Sequence, residues 1–224
     1  MKALIFDAGP IINFSLNGLI ELLKDLKSSF GGKFLITEAV KYEIVDRPLT
    51  IPRFELGALR VQNLIEENIL ELPYSLNISK EIIKTETQKI MSIANQCIYS
   101  RNTWINIMSE GEASCLALSN ELDKINIQNI IAIDERTTRI LSEKPENLQK
   151  IFSEKLHTNV KVDRSNLKEF SKFRFIRSTE LIYVAYKKGL LKLKGPKVLE
   201  ASLYATKFKG SSVSFEEINE LKKL

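Results

Sequence analysis

The chain is poor in the side chains that most often carry catalysis and metal binding at neutral pH. Among 224 residues there is one histidine, His157, and there are two cysteines, Cys97 and Cys115. Three such residues cannot furnish a four-ligand Cys/His zinc site, and two cysteines are no basis for a disulfide framework. A Ser-His-Asp or Cys-His mechanism would rest on the single imidazole, which lies in a polar, lysine-rich stretch with no nucleophile signal beside it. A long hydrophobic run is missing too. The apolar stretch from Ala3 to Phe6 stops at Asp7, and the one from Ile11 to Leu23 is interrupted by Asn13, Asn17 and Glu21. Neither pattern fits a signal h-region or a membrane span. The expectation is a cytoplasmic protein with free thiols and no membrane partner. The sequence contains no internal repeat, no low-complexity segment and no strong linker, so one domain is expected over 1–224.

What is present is the composition of a foldable globular chain, 44% hydrophobic and 27% charged. The net charge of +5 conceals an asymmetry: residues 1–135 hold 13 Lys/Arg against 18 Asp/Glu, a charge of −5, and residues 136–224 hold 20 against 10, a charge of +10. A basic half of this kind suits an anionic partner, nucleic acid being the usual one. It also suits lysines that merely solvate helix faces. If the protein is an enzyme, its chemistry falls to carboxylates, lysines or a hard metal.

The hydrophobic pattern predicts an α/β fold. Lys2-Ala-Leu-Ile-Phe6 reads as a buried strand, and the run from Ile11 toward Leu26 as a helix with Pro10 in its first turn. Gly31-Gly32 breaks that helix, Phe34-Leu-Ile36 makes a second strand, and Thr37 caps a helix that Pro48 stops. This β-α-β-α order favours a parallel sheet. Helical spacing resumes over 53–67 and from Lys80 to about Tyr99. Ser109-Glu-Gly-Glu112 has the form of a capping box opening a small-residue helix, and 127–133 is strand-like. The basic half adds a strand at Phe173-Arg-Phe-Ile176, a helix capped by Ser178 or Thr179, an amphipathic helix over 198–208, and a short helix opened by Ser214-x-x-Glu217.

Two of the buried strands run directly into an acid, Asp7 and Asp134. In an open parallel sheet, ligands bind outside the carboxyl ends of the strands, so both acids point toward the functional crevice. Glu43 follows the second strand and Glu112 sits in the first turn of the helix before the third, which lets four acids from four segments meet at one edge. Clustered carboxylates raise one another's pKa and call for a cation. Oxygen-only ligation suits Mg²⁺ or Mn²⁺. Each acid also has a purely structural reading: Asp7 as a turn acceptor, Asp134 as a helix N-cap, Glu112 as the partner of Ser109, and Glu43 as a solvated helix residue.

These residues carry a resemblance. Asp7-Ala-Gly-Pro-Ile-Ile12 resembles the opening motif of PIN-domain proteins, Val40-x-x-Glu43 their second acid, Gly111-Glu-Ala-x-x-Leu-Ala-Leu118 their third motif, and Ile133-Asp-Glu-Arg-x-x-Arg139 their fourth. Arg174-Phe-Ile-Arg-Ser-Thr-Glu-Leu181 is similar to the family's last strand and the start of its final helix. The resemblance implies a single three-layer α/β/α domain around a mostly parallel sheet. Its core would be 1–47, 109–142 and 173–190, with helical insertions at 48–108 and 143–170 and a helical extension over 191–224. It further implies a magnesium- or manganese-dependent endoribonuclease that hydrolyses RNA phosphodiester bonds, either the toxin of a toxin–antitoxin pair or an RNA-processing enzyme. Asp7, Glu43, Glu112 and Asp134 would be its catalytic metal ligands. An antitoxin protein and a second copy of the chain would then stand beside RNA as candidate partners.

Around that set, Glu135 is a fifth candidate acid, and Asn13, Ser178 and Thr179 are candidates for contacts to substrate or ordered water. Arg136, Arg139, Arg174, Arg177, Lys187 and Lys188 flank the same edge in the inferred fold, and their phosphate contacts would be sequence-independent and salt-sensitive. Trp104 and the tyrosines are candidates for stacking on unpaired bases. Two other functions remain compatible with these residues: a scaffold that binds RNA or protein without cutting, and a metal-dependent phosphatase or phosphodiesterase acting on small esters.

Overall fold

The computed structural model describes residues 1–165 and 167–224. From the amino end, β1 (Lys2–Phe6) leads into α1 (Ala8–Leu16) and α2 (Leu22–Phe30), then β2 (Lys33–Leu35) and α3 (Glu38–Lys41), which runs on into a π-turn over Tyr42–Asp46. Two long helices, α4 (Pro52–Glu66) and α5 (Lys80–Ala94), precede the short strands β3 (Ile98–Ser100) and β4 (Thr103–Trp104). The chain continues through α6 (Glu110–Lys124), β5 (Gln128–Ala132), α7 (Arg136–Glu143), α8 (Leu148–Leu156), β6 (Lys161–Val162) and β7 (Phe175–Ile176). It closes with α9 (Ser178–Lys187), α10 (Val198–Phe208) and α11 (Phe215–Leu221).

The central sheet has the order β2-β1-β5-β7, with every pairing parallel, and helices flank it in a three-layer α/β/α arrangement. Four of the five residues of β1 are buried, as a strand covered on both faces requires. Burying Leu4, Ile5 and Phe6 is worth about 1.5–3 kcal/mol each. Phe6 meets Phe34 of β2 edge-on at 5.0 Å between ring centres. Gly31 ends α2 in the left-handed conformation, and a Cβ on Gly32 would come within 2.5 Å of the Lys2 carbonyl oxygen. The Gly-Gly pair therefore both turns the chain and lets β2 close against β1.

Helix α6 lies on the sheet with nearly all of its length buried, which explains its run of small residues from Gly111 to Ala117. Helix α5 packs along α6, so residues 80–94 join the main core. The segment before it is tied to the sheet edge at Glu71. Its backbone bridges to Leu35, and its carboxylate holds Lys27 at 2.7 Å and also Lys33. A separate antiparallel sheet of order β4-β3-β6 joins residues 98–104 to residues 161–162.

Three segments differ from the sequence expectation. The helix read from Ile11 toward Leu26 is two helices, parted at Gly18, whose φ of 68° no continuous helix allows. The helix expected to reach Tyr99 stops at Ala94, where Asn95 accepts the Ile107 N–H at 2.7 Å and that of Met108 at 3.0 Å, and Ile98–Ser100 becomes a strand. The strand expected over 173–176 is regular only at Phe175–Ile176. No helix among the described residues is long and apolar enough to cross a membrane.

Candidate functional site

The connection from β1 runs outward to β2, whereas β5 lies on the opposite side of β1, so the strand order reverses between β1 and β5. A crevice at such a switch point, beyond the carboxyl ends of the strands, is the place in this architecture where loops diverge and a ligand can enter. Asp7 follows β1 directly, and Asp134 lies two residues beyond β5. Gly9 separates them: a Cβ there would lie 3.5 Å from both Asp134 Cβ and Asp7 Oδ2.

Asp7 is the N-cap of α1, accepting the Gly9 N–H at 3.3 Å, and is only 6% exposed. Burial, reinforced by the charges of Glu112 and Glu43, pushes its pKa up to about 7 against the opposing pull of the Gly9 and Ala8 N–H groups. Glu43 stands on the exposed face of the π-turn. Its carboxylate reaches the first turn of α6, where a Cβ on Gly111 would meet Glu43 Oε2 at 3.1 Å and Asp7 Oδ1 at 3.7 Å. Gly111 thus keeps open the space that both carboxylates border.

Glu112 completes the Ser109 capping box, as its spacing predicts, and its Oε2 also accepts the Thr138 hydroxyl at 2.7 Å. Burial raises its pKa, with the charge of Glu135 adding to the effect and the Thr138 bond opposing it. Glu135 is the N-cap of α7, accepting the Thr138 N–H at 3.0 Å, so α7 is capped by the residue after the one expected. The field of these acids reaches Cys115, wholly buried in α6 behind them. Burial and the charges of Asp7, Glu112 and Glu43 hold its thiol well above the ordinary range, which makes it inert.

Asp134 is differently placed. It is 3% exposed, and its Oδ1 accepts the Ser178 N–H at 2.9 Å, the Ser178 hydroxyl at 2.8 Å and the Ser211 hydroxyl at 2.9 Å. Asn13 donates to its Oδ2 at 3.4 Å and to the Thr206 carbonyl at 2.8 Å, so Asn13 ties α1 both to the acid and directly to α10. Ser211 and Thr206 belong to the C-terminal extension, which also gives the Ser212 N–H to the Asp134 carbonyl at 3.1 Å. Thr179 is fully buried, and its Oγ1 has no hydrogen-bond partner among the described residues.

The four acids therefore divide. Asp7 and Glu43 border one space at Gly111, Glu112 acts on Asp7 through its charge while its Oε2 is held by Ser109 and Thr138, and Asp134 has its oxygens engaged by Ser178, Ser211 and Asn13. Among the described residues, no three Asp, Glu, His or Cys side chains stand close enough to hold one metal ion as they are placed. The donor chemistry nevertheless fits a hard divalent cation. The oxygens belong to carboxylates, Asp7 is burdened by uncompensated neighbours, and Gly111 leaves an opening a side chain would fill. An ion in that opening would draw in the exposed Glu43.

The basic residues separate in the same way. Arg136 is exposed two residues after Asp134, and Arg139, one turn on, pairs with Glu143 at 3.3 Å. Arg174 lines a hollow with Asn126 and Gln128 at the amino end of β5, the end of the sheet away from the acids. Arg177 is 8% exposed and bound internally, paired with Glu180, with Glu217 at 2.8 Å, and with the Ser212 carbonyl at 3.2 Å. Lys187 and Lys188 lie at the far end of α9, about 15 Å from its start at Ser178, and Lys187 donates to the Leu224 carbonyl at 2.6 Å. Trp104 packs edge-on against Tyr99 at 5.1 Å and remains half-exposed on the second sheet.

Sequence reasoning missed three contributors. Thr138 and Ser211 each donate to a site carboxylate. Thr138 follows Glu135 by three residues, which is a capping signal, but nothing in the local sequence ties Ser211 to Asp134. The third is a cleft of about 760 Å³ that opens beside Glu43 and Gly111, lined by Tyr42, Arg47, Tyr74, Lys80 and Lys84. No family model matches the chain, and no curated protein or solved structure does.

Proposed function

We propose that the protein is a divalent-metal-dependent endoribonuclease of the PIN type. The observation that carries this reading is Asp7, buried and at a pKa of about 7, sharing the opening at Gly111 with Glu43 and feeling the charge of Glu112. Holding one buried carboxylate beside other acids without a counter-ion is costly, and sites that do so often serve a cation. A bound Mg²⁺ or Mn²⁺ would supply a water of lowered pKa and neutralise charge on the phosphodiester. The chain's own part is to hold the ligands. The start of α1 fixes Asp7, Ser109 and Thr138 fix Glu112, and Ser178, Ser211 and Asn13 fix Asp134 as a second-tier acceptor for water or ligand. Arg136 and Arg139, next to these acids, are the basic residues best situated for a scissile phosphate.

A specific observation favours a second reading, a non-catalytic RNA-binding scaffold: the engaged oxygens of Asp134 and the incomplete closure of the acids as they stand. One experiment separates the two. Purified protein is incubated with structured and unstructured RNA and DNA, with and without Mn²⁺, beside Asp7→Asn. The nuclease reading expects RNA cleavage that needs the metal and is lost in the variant. Cleavage that persists in EDTA or in Asp7→Asn refutes it, and salt-dependent RNA binding without Mg²⁺ or Mn²⁺ uptake supports the scaffold.

A further inference from the structure

The cleft beside Glu43 and Gly111 joins two segments distant in sequence. One wall comes from the π-turn, with Tyr42 and Arg47 on either side of Glu43, and the other from the insertion, with Tyr74, Lys80 and Lys84. Its volume of about 760 Å³ lies within the ~300–1,000 Å³ range of ligand-binding clefts. Tyr42 is 59% exposed and Tyr74 is 67% exposed, so both rings are free at its surface. Arg47, Lys80 and Lys84 are exposed, and none of them is in an ion pair among the described residues.

We infer that this cleft is a subsite for unpaired RNA, in which Tyr42 and Tyr74 stack on bases flanking the scissile position while Arg47, Lys80 and Lys84 meet the backbone. The inference rests on the nuclease reading: a strand with one phosphodiester at the carboxylates has its neighbouring nucleotides beside Glu43, where the cleft begins. Stacking on tyrosine needs a base with a free face, which a duplex does not offer, so the rings select single strands without reading sequence. Glu38, Glu43, Glu81 and Glu110 also border the cleft, four acids against its three cations. The lining as a whole does not attract phosphate, so backbone contacts are limited to Arg47, Lys80 and Lys84 individually and the tyrosines supply the discrimination. Three phosphate contacts correspond to a salt slope of about −2 for a single strand. The subsite is built largely by the first insertion, which gives that segment a role in substrate choice.

The test measures fluorescence anisotropy of a labelled, unstructured RNA of about ten nucleotides and of the same RNA as a duplex, in EDTA, with the wild-type chain and with Asp7→Asn. The single strand is expected to bind more tightly than the duplex. Tyr42→Ala and Tyr74→Ala are expected to weaken single-strand binding about 5- to 150-fold each, while Tyr42→Phe and Tyr74→Phe retain it. Lys80→Ala with Lys84→Ala should flatten the salt slope by about 1.4. Equal binding of duplex and single strand, or alanine variants that bind like wild type, overturns the inference. Adding Mn²⁺ separates the two proposals. Tyrosine-dependent binding without cleavage leaves the subsite standing and removes the nuclease. Metal-dependent cleavage that the alanine variants leave unchanged removes the subsite and keeps the nuclease.

Discussion

Neutralising Asp7 should stabilise the metal-free protein while abolishing cleavage. The carboxyl has a pKa of about 7 in the folded chain against 3.8 as an ordinary aspartate, so the folded state holds its proton more tightly than the unfolded state does. Stability from this group is therefore complete below about pH 3.8 and is lost as pH rises through 7. A shift of about 3 units corresponds to about 4 kcal/mol in all. About half of that is lost between pH 5.5 and pH 8. Groups with the opposite linkage, such as Glu71 beside Lys27 and Lys33 and Glu217 beside Arg177, have pKa values lowered from 4.5, so their titration is finished below this window. Glu112, which is raised, acts in the same direction as Asp7.

Asp7→Asn keeps a side-chain oxygen for the Gly9 N–H, so the cap of α1 survives the change. In EDTA the wild-type melting temperature should fall by roughly 4–8 °C from pH 5.5 to pH 8, at about 2–4 °C per kcal/mol for a chain of this length. The variant should remain nearly level and stand above wild type at pH 8. Mn²⁺ at pH 8 should raise the wild type by mass action and leave the variant unchanged. Differential scanning fluorimetry across the pH series reads all of this, and parallel curves for the two proteins between pH 5.5 and 8 would refute the reasoning.

Two further substitutions bear on the site and its borders. Gly111→Ala puts a methyl group about 3.1 Å from Glu43 Oε2 in the first turn of α6; alanine favours the helix by about 0.5–1 kcal/mol, so thermal stability should hold while Mn²⁺ affinity and RNA cleavage fall, and a variant with full metal affinity would show that the opening is not used. Arg177→Ala leaves Glu180 and Glu217 without their shared cation and frees the Ser212 carbonyl. With both acids partly exposed, it should cost about 1–3 kcal/mol by urea unfolding and leave the salt slope of RNA binding unchanged; a flattened slope with stability intact would assign Arg177 to phosphate instead.

The fold was legible because its signals are local. A buried run such as Leu4-Ile-Phe6, a Gly-Gly stop and two capping boxes each act within a few residues, and the structure realises them. The four acids were legible for the same reason, as strand ends and a helix first turn have characteristic neighbours. What failed was inference from charge and from long-range partnership. The basic half and the inferred fold together put Arg136, Arg139, Arg174, Arg177, Lys187 and Lys188 beside one edge. The structure instead puts Arg174 at the opposite end of the sheet, encloses Arg177, and leaves the two lysines at the far end of α9. A helix that begins at a site carries its last residues away from it, a geometric fact that composition does not contain.

The C-terminal extension shows the same limit from the other side. As sequence it is an amphipathic helix and a capped short one, which suggests an appendage. In the fold, its Ser211 hydroxyl and Ser212 N–H reach Asp134, its Thr206 carbonyl accepts from Asn13, and its Glu217 holds the Arg177 that stands one residue before Ser178. Two of these bonds end on the fourth acid itself and two on its neighbours Asn13 and Arg177. Buried polar networks of this kind are costly to leave half-satisfied, so Asp134 and residues 206–217 are energetically one unit although more than 70 residues separate them. Two of the acids thus have distant neighbours in sequence. Residues 73–84 wall the cleft beside Glu43, and residues 206–217 hold Asp134 and the residues around it.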